Sequence, residues 1–431
     1  MYGRLPHGPH KLDRKEVSRH QRLRIHGAMI EAVAAHGYQA TAVRHVIGLA
    51  GVSRRSFYEQ FANKEDCFLT TFDLIAGGAL QRMSRAYAAA TGGLEERMRA
   101  ALREFAEAAR TSRKAAALVL LEAHTAGPAA ERRLRRAMAV CERMLARSLN
   151  GSSQGCALPA PLVTAIAGGL HGAMAGRVRE RAMAGSGELA EEMLSWTLAF
   201  QGAAADDMAE RLAARVARRL RDAPGERAGR PGPRAPDGGA RERLLQSVLR
   251  LAVLDDYTRL TEAQIADEAE VPLELFLELF AGKSECFLVG LDMLGEQLRA
   301  IVTDPRLRGS DWPWAVRMAL AELLRFLAAR PLYAQTIARA AFLAGPEAVA
   351  RNLGLAQDIA ALLLAGAPGR APSRLAVEGL AGAVWHTIRC HVAAERIQLL
   401  PGLSDYLAYV ALAPCIGAEA AAEVVTAEDG D

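Results

Sequence analysis

Ser53, Arg54, Arg55, Ser56 and Tyr58 set hydroxyls and guanidiniums side by side, and these groups can donate to phosphate oxygens and to the edges of bases. Phe57 and Phe61, at i, i+4, share one side of a helix, which leaves Arg54, Arg55, Ser56 and Tyr58 on or near its exposed face. Ser53 stands where a hydroxyl caps a helix start, and Lys64 is close enough in sequence to reach a phosphate. Catalytic chemistry is not suggested. There is no Gly-rich phosphate loop, no G-x-S-x-G, no H-E-x-x-H and no convincing carboxylate pair, so an enzyme is not expected and no catalytic residue is assigned. His386, Cys390 and His391 offer two ligands on one helical face through an i, i+4 pair, but a third is not evident, so neither a metal nor a cofactor is expected.

The elements that must position the donors read as a helix-turn-helix. A short apolar run, Val43, Val46, Ile47 and Ala50, reaches Gly51, which suits a tight turn at positive φ, and the second helix then starts from Ser53. Ahead of it, a helix from about Arg14 to His36 carries an inward stripe of Ile25, Ala28, Met29, Ala32 and Val33, and ends at Gly37. Behind it, Asn63 can cap a further helix whose first turn holds Glu65 and Asp66. The chain from Met1 to Arg24 carries seven Lys or Arg against Asp13 and Glu16, a positive excess beside the proposed head although the whole chain is only +4.

With 431 residues the chain exceeds what one core supports. Alternating apolar and polar segments are scarce, so nearly every ordered stretch reads as helix. From Phe68 to about Arg221 amphipathic helices follow one another, with breaks at Thr91 to Gly93, Ala126 to Pro128, Asn150 to Pro161 and Gly185 to Gly187. Asp222 to Ala240 is rich in Pro, Gly and charge and reads as a linker, spanning about 25 Å root-mean-square if flexible. Six scattered cysteines without a CxxC pair or a secretory signal point to reduced thiols in the cytoplasm. No stretch approaches eighteen consecutive strongly apolar residues, so no membrane span is expected.

Beyond the linker the chain repeats itself. Adding 219 places Tyr38 on Tyr257, Ala50 on Ala269, Val52 on Val271, Phe57 on Phe276, Phe61 on Phe280, Lys64 on Lys283, and Cys67-Phe68-Leu69 on Cys286-Phe287-Leu288. The donors are not kept: Ser53, Arg54, Arg55, Ser56 and Tyr58 become Pro272, Leu273, Glu274, Leu275 and Leu277, and Thr41 becomes Leu260. Leucines cannot donate to phosphates and Glu274 would repel them, so the second head should be silent toward DNA, its apolar face packing on protein.

The pattern G-Y-x-A-T-x-V-x-x-V-I-x-x-A-G-V-S-x-x-x-F-Y-x-x-F-x-N-K-E, Gly37 to Glu65, resembles the TetR family of transcriptional regulators over about residues 20 to 75. The second copy, about residues 241 to 293, looks like a degraded version of the same domain. The resemblance implies an all-α fold of two tandem units, each a three-helix head on a helical-bundle body. It makes Ser53 to Tyr58 the recognition helix and brings Thr41, Arg44, Tyr58 and Lys64 toward phosphates. The expected organisation is a mobile basic tail (1–13), a helix-turn-helix domain (14–75), a regulatory and dimerisation body (76–221), the linker (222–240), a degenerate head (241–293), a second body (294–421) and an acidic tail (422–431).

The expected function is that of a DNA-binding regulator, a ligand-responsive repressor, acting on a double-stranded operator. The alternative is a protein-interaction or ligand-binding module in which DNA binding is secondary. Late segments Leu162 to Met183 with Leu189 to Phe200 resemble Leu375 to Leu399 with Leu403 to Ile416. Each pair holds a small-residue patch, Gly168-Gly169 or Gly379 and Gly382, suited to close helix packing, so one chain could fold as a covalent pseudo-dimer. One head makes few base contacts, and two chains are expected to associate as a homodimer; a monomer on one half-site is the other possibility. The effector expected is small and apolar or amphipathic. The second body holds eight aromatics against four in the first, with Trp385 and His386 as candidate lining, although an aromatic at helical spacing is more often ordinary core.

Overall fold

Apolar residues at helical spacing, short Gly or Pro breaks and capping side chains account for most of the architecture. The computed structural model describes residues 14–150, 158–180, 185–201, 208, 210–212, 214–215, 239–255, 257–307, 311–369 and 371–427. The basic tail, most of the linker, Cys156 and the end of the acidic tail lie outside them. Among the described residues there is no strand: the fold is all-α.

The helices are α1 (Arg14–Ala40), α2 (Val43–Ala50), α3 (Arg54–Tyr58), α4 (Lys64–Ala89), α5 (Leu94–Thr111), α6 (Arg113–Leu120), α7 (Pro128–Asn150), α8 (Ala160–Arg179) and α9 (Ser186–Leu198). After the linker come α10 (Ala240–Leu254), α11 (Glu262–Glu268), α12 (Leu273–Leu279), α13 (Lys283–Val302) and α14 (Trp312–Ala329). The last are α15 (Pro331–Gln335), α16 (Ala341–Leu343), α17 (Pro346–Leu364), α18 (Arg374–Ala393), α19 (Ser404–Ile416) and α20 (Ala418–Thr426). A π-helical turn, Thr336–Ala340, joins α15 to α16.

The chain forms two compact units, Met1–Arg143 with Met174–Glu191, and Met144–Ala173 with Glu192–Asp431. In the first, α1 packs on α2, α4 and α6, and α5 lies along α4. Ion pairs tie the periphery: Arg99 to Glu95 and Glu191, Lys114 to Glu31, and Arg133 to Asp73.

In the second unit, α14 packs against α19 and the 3₁₀ segment Ile397–Leu403, and α17 lies on α13 and α18. Residues 160–173 of α8 belong here and cross α18 at glycines. A Cβ on Gly172 would come within 2.6 Å of the Gly382 Cα, and one on Gly382 within 2.5 Å of the Gly168 carbonyl oxygen. Trp196 of α9 covers Gly169 and Gly379, and Tyr409 of α19 donates to the Phe200 carbonyl at 3.4 Å.

Asp405, 5% exposed, accepts from Arg317 at 3.0 Å and from Arg215 at 3.2 Å. Both guanidiniums also donate to carbonyls at the end of α20: Arg317 to Val424 and Ala427, and Arg215 to Val425, Thr426 and Ala427. Those carbonyls lack helical partners, and positive charge suits that end of a helix. By length and composition alone, one segment qualifies as a membrane span. Ile397–Ile416 passes both, at mean hydropathy 1.4 over a qualifying window that is 67% buried inside the fold. Its apolar character is that of a core element, with Leu407, Val410 and Leu412 fully enclosed.

Candidate nucleic-acid interface

The first head is built from the bottom by a few local devices. Gly37 leaves helical geometry at φ 71°, turning α1 toward α2. Gly51 sits at φ 58° in the left-handed region and ends α2, and the Ser53 hydroxyl accepts from the Ser56 amide at 3.0 Å to start α3. Asn63 caps α4 by accepting from the Asp66 amide at 2.8 Å. Phe57 and Phe61 are buried with ring centroids 5.7 Å apart, and they anchor α3 to the core.

This packing turns the opposite face of α3 outward. Arg54, Arg55 and Ser53 are exposed, Tyr58 is 46% exposed, Ser56 is half-buried, and Arg44 of α2 is exposed. The Arg54 guanidinium lies 5.7 Å from the Tyr58 ring centroid, and Arg55 pairs with Glu59 at 3.0 Å. An exposed i, i+4 pair of this kind contributes little and yields readily to a phosphate.

Thr41 and Lys64 are placed differently from the rest of the expected set. Thr41 is 2% exposed and its hydroxyl donates inward, to the carbonyls of Gly37 at 2.7 Å and Ala32 at 3.2 Å. The Lys64 ammonium donates to the Tyr38 carbonyl at 3.0 Å and lies 4.2 Å from the centre of the Tyr38 ring. Burial holds its pKa below the ordinary lysine value. Burial, and then the charge of Glu65, pushes Tyr38 up to about 12.

Residues 28–71 match the family described as bacterial regulatory proteins, tetR family. The similarity to that family thus lies within the first head. Among solved structures, the fatty acid degradation regulator FadR from Bacillus halodurans is similar at 20% identity, over 41% of this chain and 96% of that chain, with a TM-score of 0.37. FadR from Bacillus subtilis in complex with stearoyl-CoA is similar at 17% identity, over 42% of this chain and 99% of that one, with a TM-score of 0.38. A TetR/AcrR family regulator from Thermobifida fusca YX-ER1 is similar at 24% identity, over 41% and 96%, with a TM-score of 0.30. No curated protein matches.

The scaffold contacts of the TetR-type head recur beyond the linker in the same sequence register. Lys64 donating to Tyr38 is repeated by Lys283 donating to the Tyr257 carbonyl at 3.3 Å, and the Phe57–Phe61 pair by Phe276–Phe280 at 5.7 Å. Arg24, which holds the Ala50 and Gly51 carbonyls, has its counterpart in Arg243, donating to the Ala269 carbonyl at 3.1 Å. Arg22 and Arg241 lie over Phe61 and Phe280. Even the left-handed turn is kept, although Glu270 at φ 53° replaces Gly51. These arginine clips were missed from sequence; their coincidence in the repeat register was the available signal.

The outward faces are opposite in charge. Ala42 to Phe61 holds three arginines and one glutamate, whereas Thr261 to Phe280 holds six acids and no Lys or Arg. Leu273 and Leu277 are exposed where Arg54 and Tyr58 stand in the first head. The candidate ligand residues lie in the core: Trp385 is 4% exposed, and His386 fills the space over Gly168 of α8. Cys390 Sγ lies 3.5 Å from His386 Nε2, and no metal-holding group of three His, Cys, Asp or Glu occurs among the described residues. The five described cysteines are free, and burial pushes Cys67 and Cys286 up to about 12.

Proposed function

We propose that the chain is a sequence-specific, ligand-responsive repressor of transcription in which only the first head reads double-stranded DNA. The observation that carries this is the paired comparison of heads: one scaffold, kept in its lysine, phenylalanine and arginine contacts, presents Arg44, Arg54, Arg55, Ser56 and Tyr58 in one copy and Ala263, Leu273, Glu274, Leu275 and Leu277 in the other. Donors to phosphate and base edges are thus found on one face only. Two tandem TetR-like units make a covalent pseudo-dimer in this reading, supported by the glycine crossing of α8 and α18, the late helices of the first and second halves.

Two chains then associate to supply two reading heads, and a small apolar or amphipathic effector shifts the bodies so that one head spacing is favoured over the other. The exposed Leu273 and Leu277 beside Glu274 favour a second reading, in which the silent head holds a protein partner and DNA binding is subordinate. Selection of bound genomic DNA by the intact chain separates the two. Sequence-specific enrichment that disappears in Arg54→Ala/Arg55→Ala and persists in Glu274→Ala is expected. Equal, non-specific recovery by all three chains would overturn the regulator reading, and a solution mass of one chain with one protected half-site would overturn the homodimer.

A further inference from the structure

The turn between α1 and α2 is gripped from two sides. From α4, Lys64 donates to the Tyr38 and Gln39 carbonyls at 3.0 and 3.4 Å. From the body, the Glu122 carboxylate accepts from the Tyr38 amide at 2.8 Å across 84 positions of sequence. Glu122 is itself steadied by the Thr125 hydroxyl, which donates to it at 3.1 Å, and the Thr125 carbonyl accepts from the Gln39 side chain at 2.6 Å. Glu122 to His124 is a single 3₁₀ turn between α6 and α7, so this grip links the body segment to the turn from which α2 and α3 are hung.

We infer that Glu122 is a positioning residue for DNA reading: its carboxylate fixes the α1–α2 turn and with it the face that carries Arg44, Arg54 and Arg55. The inference rests on the first head being the reading head. A fold-stability role alone does not account for the residue, because the second head assembles the same lysine, tyrosine, phenylalanine and arginine contacts without it. The register that maps Tyr38 onto Tyr257 maps Glu122 onto Ala341, and Thr336 to Pro346 holds no acidic residue. The carboxylate is therefore dispensable for building such a head and is found where there is something to read.

The sign of the effect separates this role from charge alone. Removing a negative charge near a DNA-binding face strengthens binding by electrostatics, whereas removing the grip loosens the face and weakens it. In the full chain, Glu122→Ala is expected to speed hydrogen exchange at the Tyr38 amide by about tenfold or more, as loss of a charge-assisted hydrogen bond implies. The Tyr257 amide should be unchanged. Affinity for the selected operator should fall several-fold, while affinity for random duplex is unchanged or rises. Glu122→Gln, which keeps an accepting oxygen and the side chain's size, should restore part of both.

Unchanged Tyr38 exchange, or operator affinity that rises in Glu122→Ala, overturns the inference. Failure of the wild-type chain to select any DNA overturns the functional reading on which it rests, so the two failures are told apart.

Discussion

Alanine at helix-interior glycines should change sign with position, and the size of the change follows from the α8–α18 crossing. In a helix, Gly→Ala ordinarily stabilises by roughly 0.5–1 kcal/mol through backbone entropy. Gly77 in α4 and Gly354 in α17 have nothing within 4 Å of an added Cβ, so they should show that gain. At Gly382 the added carbon would lie 2.5 Å from the Gly168 carbonyl oxygen, 2.9 Å from the Gly172 Cα and 3.1 Å from the Gly169 Cα. These are backbone atoms on the opposing helix and cannot swing aside, so the helices must part by about 1 Å to reach ordinary carbon contact distances. Separation on that scale forfeits a quarter to a half of each affected contact, and overpacking of this kind costs roughly 1–3 kcal/mol, enough to outweigh the helical gain.

Gly382→Ala and Gly172→Ala should therefore destabilise by about 1–2 kcal/mol, against a gain of about 0.5–1 kcal/mol for Gly354→Ala. All four tryptophans, Trp196, Trp312, Trp314 and Trp385, belong to the second unit, so urea unfolding followed by tryptophan fluorescence reports that unit alone. Equal midpoint shifts for Gly382→Ala and Gly354→Ala would refute the crossing as described, since an open seam would treat the two glycines alike.

Two further outcomes are expected. His26, 7% exposed and sharing a 2.7 Å hydrogen bond with Thr71, is lowered from 6.5 to about 4 by burial and then by Arg22. The neutral ring is the one that fits the fold, so stability is intact above pH 6.5 and is lost as pH falls toward 4; wild type should lose about 2 kcal/mol more than His26→Leu between pH 7 and pH 5 in denaturant titrations of the first unit. Asp405→Asn should destabilise the second unit by about 3–5 kcal/mol, because it leaves Arg317 enclosed without its counter-charge, and Arg317→Met/Asp405→Leu should cost less than the single change. A smaller loss in the single variant than in the double would contradict the enclosed pair.

Much of the first head was legible because local chemistry and global packing agree there. Gly51 adopts the positive φ its position demands, Ser53 and Asn63 cap the helices they precede, and Phe57 and Phe61 bury as their spacing implies. The breaks before α5 and α7 were visible as Gly and Pro. What could not be read was the partner of a long-range polar group. Nothing near Asp405 in sequence announces Arg215 or Arg317, and nothing near Tyr38 announces Glu122, since such pairs are fixed by helix packing across tens or hundreds of positions. The inward hydrogen bonds of Thr41 and Lys64 were not legible either, from the pattern or from the resemblance that brought both toward phosphates. A hydroxyl and an ammonium look like surface donors in one dimension, yet the carbonyls of Gly37, Tyr38 and Gln39 accept from them at the turn.

Under the proposed function, the second copy acts as an internal control on which residues DNA reading needs. Positions kept in both heads are accounted for by the scaffold, because the outward donors of the first head are replaced in the second. Lys64 falls in this class: Lys283 makes the same contact to the corresponding tyrosine, Tyr257, so its presence is accounted for without a phosphate. Thr41 gives way to Leu260, and both are 2% exposed, which marks a core position that tolerates a hydroxyl only because the Gly37 and Ala32 carbonyls receive it. Arg44, Arg54, Arg55, Ser56 and Tyr58 behave in the opposite way, lying on or near the surface in the first head and losing every donor in the second. Loss of every outward donor while the buried positions stay filled is what release from DNA contact would produce. Drift toward a weaker fold would have reached Phe276, Phe280 and Cys286 as well, and these remain enclosed.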